Sequence, residues 1–317
     1  MIIRVFICLF LLILIICIAS QKNSINGGME ILNDTYSEYL KIHKLKSLGR
    51  QLDNKKKYEL HNSIERYLIS AYPDFINNAA LKKLADELKH QKINLYNQVL
   101  KILEEPFEKT PKGLQLKIIK MEDKVHIKYG LFETDIPKYR YDILKKFGSD
   151  EDILEVCLVY SRILFGSQHW AIPLDKFKEY VEQGASIEGF ASPFNSQIMR
   201  IDKPGLHYCS LMEIDKKFGS LGDFFDQDFS NKFVVVNPPF IESVLKRAAE
   251  KCLSEKGKFV FYGPNWTDAE FYTLLEAAGA KKEILKKGEH EYEDLLHDRR
   301  VVARFESVVF TFGEIHI

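Results

Sequence analysis

Two rhythms divide the chain. Between Met29 and about Phe107 apolar residues return every three or four positions, in ILNDTYSEYLKIHKL, LHNSIERYLISAY and ALKKLADELKHQKINLYNQVLKILEE, with Pro73 and Pro106 as stops. That period predicts amphipathic helices. LQLKIIKMEDKVHIKYG then alternates about Glu122-Asp123, which predicts a hairpin, and helical spacing returns over 136–147 and 150–164. From about Ser167 short apolar runs take turns with helical ones. DKFKEYVEQGA predicts a helix ending near Gly184, SIEGFASPFN a short strand and turn, and LHYCSLMEI a second strand. KFVVVNPPF is a strand leading into a helix, GKFVFYGPNW another strand, and 267–278 a helix stopped at Gly279, before an alternating end toward VARFESVVFTFG. Strands separated by helices predict an α/β, doubly wound sheet preceded by a mainly helical domain. The expected division is a leader over 1–28, a helical domain over 29–165 and a sheet domain over 166–317.

The leader, MIIRVFICLFLLILIICIASQ, carries one basic residue, Arg4, before an unbroken apolar run. The run is long for the core of a signal peptide and short for a membrane span, so it reads as a signal, a marginal anchor, or a stretch upstream of a true start at Met29. Composition adds little to this picture. With 317 residues, 46% hydrophobic, the chain can bury two modest cores, and its formal net charge of zero sets up no global field toward nucleic acid. Lysines do cluster between Lys41 and Lys128. Five cysteines, two of them in the leader (Cys8 and Cys17), leave Cys157, Cys209 and Cys252 without a C-x-x-C spacing. They are expected to act as small core hydrophobes, and no metal site is predicted.

The candidate chemistry lies where FVVV runs into Asn237-Pro238-Pro239-Phe240. Proline donates no hydrogen bond and disfavours helix before it, so this tetrapeptide ends a buried strand at the carboxyl edge, where ligands bind in open α/β sheets. The Asn237 side-chain oxygen and the Pro238 carbonyl are acceptors that together can hold both hydrogens of a planar –NH₂ group, with Phe240 stacked on its ring. Two fixed acceptors favour the charge that develops on such a nitrogen when it attacks a methyl donor. The same group serves an adenine amine or a side-chain amide, and in the blandest reading it only terminates a strand.

IEGFASPFN (187–195), DKKFGSLGDFF (215–225), VNPPF (236–240), FYGPNW (261–266) and GEHEY (288–292) together resemble the catalytic region of the phosphorylated-CTD-interacting-factor family. The resemblance covers about half the chain. It implies a Rossmann-like methyltransferase sheet, S-adenosyl-L-methionine as cofactor and N6-methylation of the cap-adjacent 2′-O-methyladenosine of messenger RNA. It also implies roles. Asn237, Pro238, Pro239 and Phe240 would be catalytic. Glu188, Ala191, Ser192, Pro193 and Asn195 would form the cofactor loop near the methionine part, and Asp215 would accept from the ribose hydroxyls. Phe218, Gly219, Ser220, Asp223 and Phe224 would shape the adenine end, and Trp266, His290, Glu291 and Tyr292 would face the substrate. Read without the resemblance, Asp215 and Asp223 are ordinary loop or cap acids and Trp266 is a packing residue.

The expected partner is capped mRNA, in nucleus or cytoplasm, with the lysine-bearing helical half meeting phosphates; a membrane is expected only if the leader is an anchor. A WW module needs two tryptophans closer together than Trp170 and Trp266, the two in this chain, so WW-mediated binding of the polymerase tail is not expected. Two other functions use the same residues: N6-adenine methylation of DNA or internal RNA, and a catalytically inactive methyltransferase-like scaffold. The sequons at Asn33 and Asn265 are expected to stay unmodified.

Overall fold

The alternation about Glu122-Asp123 does build a hairpin. In the computed structural model, which describes residues 113–163, 170–295 and 297–314 together with Leu32, Tyr36, Tyr39 and Leu40, β1 (Lys117–Lys120) pairs antiparallel with β2 (Lys124–Tyr129). A third strand, β3 (Phe132–Pro137), completes the sheet. Val125, Ile127 and Tyr129 are buried at every second position, as one covered face of a strand requires. The Tyr36 hydroxyl accepts from the Leu131 N–H at 2.8 Å and its ring meets Tyr129 edge-on. The leader with its cysteines, the Asn33 sequon, and most of the helical stretches expected between 29 and 107 lie outside the described residues.

Helical spacing over 136–147 misplaces one boundary. Ile136 and Pro137 close β3, and α1 (Lys138–Leu144) begins only after Pro137, whose extended backbone serves as the N-cap. α2 (Asp150–Ile163) opens on Asp150, Glu151 and Asp152, carboxylates suited to the positive end of a helix dipole. The chain divides into two compact units. The first takes most of the three-stranded sheet and α2; the second takes the β1–β2 turn, Ile136–Ser149 and everything from Gly166 on.

In the second unit, β5 (Ile187–Gly189), β6 (His207–Tyr208), β7 (Phe233–Val236), β8 (Lys258–Pro264), β9 (Lys281–Leu285) and β12 (Ser307–Phe312) form one mixed sheet in the order β6-β5-β7-β8-β12-β9. β6, β5, β7 and β8 are parallel, and β12 runs against both β8 and β9. Both faces are covered. Val234, Val236, Phe259, Phe261, Val308 and Phe310 pack with α4 (Glu242–Ser254) and α5 (Glu270–Ala277). On the other face Phe233, Val235, Val260, Tyr262 and Val309 pack with α3 (Leu174–Glu182). That is why FVVV reads as an uninterrupted apolar run. Each such side chain contributes about 1.5–3 kcal/mol by leaving water.

The segments on each side of the second strand form 3-10 turns over Ile198–Arg200, Glu213–Phe218 and Phe224–Asp226. LHYCSLMEI contributes only the short β6. Its edge is taken instead by the chain folding back: Ser220 bridges Tyr208 in parallel and the Leu221 N–H donates to the Tyr208 carbonyl. Gly219, at φ 88°, makes that reversal. A second, small antiparallel sheet sets β10 (Glu291–Asp294) between β11 (Arg299–Val302) and β4 (Trp170–Ala171). Among the described residues no helix is long and apolar enough to cross a membrane.

Candidate active site

The chain leaves β5 for β6 on one side and returns to β7 on the other. Such a reversal opens a crevice at the carboxyl ends of the two central strands, the usual ligand site of an open α/β sheet. Asn237 to Phe240 leave β7 at this point. The Asn237 Nδ2 donates to the Trp170 carbonyl at 3.3 Å. A carbonyl cannot face the amide oxygen, so this bond fixes the amide and turns Oδ1 away from Trp170. Among the described residues nothing bonds to that oxygen or to the Pro238 carbonyl. Pro238 is buried, whereas Asn237, Pro239 and Phe240 are half-buried.

Phe240 stands edge-on to Tyr292 and Phe305, with ring centroids at 6.4 and 5.7 Å. Tyr292 stacks on Trp170 and tilts against Phe305, and His290 meets both Tyr292 and Phe305. The fold therefore brings His290 and Tyr292 to the Asn-Pro-Pro-Phe turn. The histidine's protonation follows from its partners: Nδ1 lies 2.8 Å from the Lys286 carbonyl, which only accepts, so Nδ1 carries the hydrogen in the neutral ring. Nε2 then accepts from Ser307 Oγ at 2.9 Å, and Ser307 accepts from the Tyr292 hydroxyl at 2.8 Å. Burial pushes the Tyr292 phenol up to about 12, so it stays a donor. Glu291 turns outward to Arg300. Trp266 lies past the end of β8, 37% exposed, and among the described residues no ring contact joins it to this cluster. Asn265, in the second sequon, donates from Nδ2 to Glu306.

The loop after β5 is tied to itself. The Glu188 carboxylate accepts from Ser196 Oγ and from the Gln197 and Ile198 N–H groups. Burial raises its pKa, against the lowering effect of those bonds. Ser192 donates from N and Oγ to Asn195 Oδ1, and Ala191 donates to the Cys209 carbonyl. Glu188 thus shapes the loop; its oxygens do not face a ligand. Phe190 leaves β5 with φ 67°, a left-handed conformation that costs a non-glycine residue about 1–2 kcal/mol. Gly189 is required by close approach, because a Cβ there would come within 2.8 Å of the Phe224 ring.

The residues expected at the adenine end separate. Asp215 is 0% exposed and sits inside the 3-10 turn, and Phe218 is equally closed, its carbonyl accepting from Tyr208. Ser220 Oγ lies 2.6 Å from Ser210 Oγ. A carboxylate with no exposed surface does not meet ribose hydroxyls in this arrangement of the turn. Asp223 is different. It caps the turn over Phe224–Asp226 by accepting from the Phe225 N–H, yet stays partly exposed, and burial raises its pKa. Phe190, Leu221 and Phe225, all partly buried, lie against the same core as Phe224. An apolar wall beside a carboxylate acceptor suits a flat base with an amine on its edge, so this part of the site fits an adenosyl group.

Several participants escaped the sequence. Gln197 donates from Nε2 to Glu293 and to the Ile172 carbonyl, while Arg200 bonds Glu293 at 2.6 Å and Gln197 Oε1 at 3.0 Å. This buried knot joins the loop after β5 to β10, the strand that carries Tyr292. Burial alone would raise the Glu293 carboxyl, but Gln197, the Leu174 N–H and Arg200 outweigh it and hold it below the ordinary value. Glu293 adjoins a quoted motif and Gln197 lies two residues past another, which is the one signal that pointed to them. Trp170, Phe305, Ser307 and Arg140, whose Nη1 donates to the Pro193 and Ser196 carbonyls of the loop after β5, had none.

Residues 150–295 match the family model described as the phosphorylated CTD interacting factor 1 WW domain. Over that span, which includes the loop after β5 and the turn after β7, the chain is similar to that family. No curated protein matches the chain. The match overturns the expectation that WW-mediated binding of the polymerase tail is absent. That exclusion rested on the spacing of two tryptophans alone, whereas the family model reads the whole span.

Proposed function

We propose that this chain is an S-adenosyl-L-methionine-dependent N6-adenosine methyltransferase acting on RNA, with the cap-adjacent 2′-O-methyladenosine of mRNA as its target. The observation that carries this reading is the Asn237 amide, held by the Trp170 carbonyl so that its oxygen remains an acceptor beside Phe240. The strand order, with β5 between β6 and β7, supports reading that acceptor as a wall of the crevice. The family match supports the cap-adjacent target.

When bound, S-adenosyl-L-methionine supplies an electrophilic sulfonium methyl. The chain's own residues handle the adenosine. Asn237 Oδ1 and the Pro238 carbonyl would accept from the two amine hydrogens and stabilise the positive charge that develops as the nitrogen takes the methyl group, and the methylated nitrogen then gives up one proton to water. Phe240, braced by Tyr292 and Phe305, stacks on the base. Asp223 would accept from the adenosyl end, and Ala191, Ser192, Pro193 and Asn195 would line the methionine end. A terminal adenosine enters such a site without the full cost of leaving a duplex stack. The function places the protein where capped transcripts occur, in nucleus or cytoplasm.

The test is methyl transfer from labelled cofactor to capped RNA beginning with 2′-O-methyladenosine, to uncapped RNA and to DNA, with Asn237→Ala as control. Transfer to the capped RNA, lost in the variant, is expected. Equal transfer to DNA would replace the target with adenine in general, and cofactor binding without any transfer would point to a scaffold.

A further inference from the structure

Trp266 is 37% exposed although its backbone is pinned on both sides: its N–H donates to the Pro264 carbonyl at 2.8 Å, and its carbonyl accepts from the Ala269 N–H at 3.0 Å. Among the described residues no ring packs on the indole. Held on a fixed turn with an open face, it offers a base a stacking platform at little ordering cost. A carboxylate lies beside it. Glu306 is exposed, and its backbone carbonyl and Oε2 accept from the N–H and Nδ2 of Asn265, the residue before Trp266, at 3.0 and 2.9 Å. These two bonds hold Glu306 against the tryptophan turn, and among the described residues nothing bonds to its Oε1.

Cations border the same corner. The Gly288 N–H donates to the Ala303 carbonyl, so the turn carrying Lys286 and Lys287 lies beside Arg304. All three are exposed, and among the described residues no acid pairs with them; one carboxylate, Glu289, shares the turn. The corner also adjoins the turn after β7. β8 is the neighbour of β7, and Phe305, the residue before Glu306, meets the Phe240 ring with centroids 5.7 Å apart. An aromatic face attracts a cationic flat ligand more strongly than a neutral one, and a carboxylate accepts from paired N–H donors along one edge. N7-methylguanine satisfies both: its methylated ring is cationic, and N1–H and the N2 amine donate from the opposite edge. Unmethylated guanine lacks the charge, and adenine lacks the charge and the N1–H.

We propose, resting on the methyltransferase reading above, that Trp266 and Glu306 hold the N7-methylguanine of a capped RNA end, with Arg304, Lys286 and Lys287 along its triphosphate. Trp266 stacks on the methylated base, and the Glu306 carboxylate accepts from N1–H and the N2 amine. The adenosine to be methylated lies on Phe240, one strand away.

Trp170 and Trp266 are the only tryptophans in the chain, so stacking on the exposed one is read as fluorescence quenching. The full chain is titrated with N7-methyl-GTP, GTP and inorganic triphosphate, and S-adenosylhomocysteine binding is measured separately by calorimetry. N7-methyl-GTP is expected to quench and to bind about 10-fold tighter than GTP, the scale of a desolvated cation–π contact. Trp266→Ala should lose both the quenching and the preference. Glu306→Gln should weaken N7-methyl-GTP by about 10- to 100-fold, the range for hydrogen bonds to a charged group. Both variants should bind S-adenosylhomocysteine as the parent does. Equal affinity of the parent for N7-methyl-GTP and GTP, triphosphate binding as tightly as either, or a preference that survives both substitutions would overturn the guanine site and leave the methyltransferase reading intact. If S-adenosylhomocysteine does not bind, the cofactor assignment falls while the nucleotide titrations still decide the site. A preference lost in the variants of a protein that transfers no methyl group would uphold the site and sink the proposed activity alone.

Discussion

The turns that follow β6 and β7 both carry family motifs, and they use their polar groups in opposite ways. After β6, Asp215, Phe218 and Ser220 are closed into a 3-10 turn whose carbonyls and hydroxyls bond to Tyr208 and Ser210. After β7, Asn237 makes one bond to Trp170 through its nitrogen and keeps its oxygen free. The first turn spends its backbone carbonyls and the Ser220 hydroxyl on its own shape. The second is held from outside, by β4 and the aromatic cluster, and so keeps acceptors for a ligand. A motif residue therefore divides into builder or binder according to where its hydrogen bonds already go.

Substitutions in each turn should separate these two uses. Phe218→Ala, in a fully closed site, is expected to cost about 3–5 kcal/mol of stability, measured by denaturant unfolding, with the cofactor affinity of the folded fraction unchanged. A Phe218→Ala protein that melts normally but binds cofactor poorly would erase the distinction. Asn237→Ala should do the reverse. Methyl transfer should fall by about 10²–10³-fold, the effect of removing one preorganised partner of a developing charge, while the melting temperature stays close to that of the parent.

Ser307→Ala removes the shared partner of Tyr292 and His290. It is expected to cost about 1–3 kcal/mol, the penalty for leaving buried hydrogen-bonding groups unpaired, and to lower transfer by loosening the wall behind Phe240. A drop in stability alone would make the network a scaffold with no bearing on Phe240.

The smallest effect concerns pH. The Glu293 carboxyl is held below its ordinary value, so the folded state binds its proton less readily than the unfolded chain does. Its stabilisation is fully present above the ordinary value of 4.5 and is lost as pH falls through the folded value. Glu293→Gln should lower stability at neutral pH and flatten the acid side of the stability profile. Identical profiles for parent and variant would remove Glu293 from the knot between the loop after β5 and β10.

Much of this was legible along the chain. The strand FVVV, its termination by Pro238 and Pro239, the helix after it and the placement of Asn237 at a carboxyl edge all follow from residue type and local order, because proline and β-branched residues act on their own backbone. The alternation about Glu122-Asp123 also pointed to the hairpin that forms there. The 3-10 turns around β6 were not, since helical spacing cannot show that an edge will be taken by the chain folding back at Gly219. Nor could spacing show that Asp215 faces inward and Asp223 outward, because both are acids in polar stretches and only packing distinguishes them.

The local sequence by itself determined which residues end β7, which of them accept hydrogen bonds and where the parallel strands lie. The tertiary structure decided their partners: Trp170, Tyr292, Phe305 and Arg140 reach the site from separate elements, and hydrogen bonds between distant segments have no period along a chain. Burial, too, is settled only when the sheet and its covering helices meet, which is why the same type of side chain is closed away at Asp215 and remains partly open at Asp223.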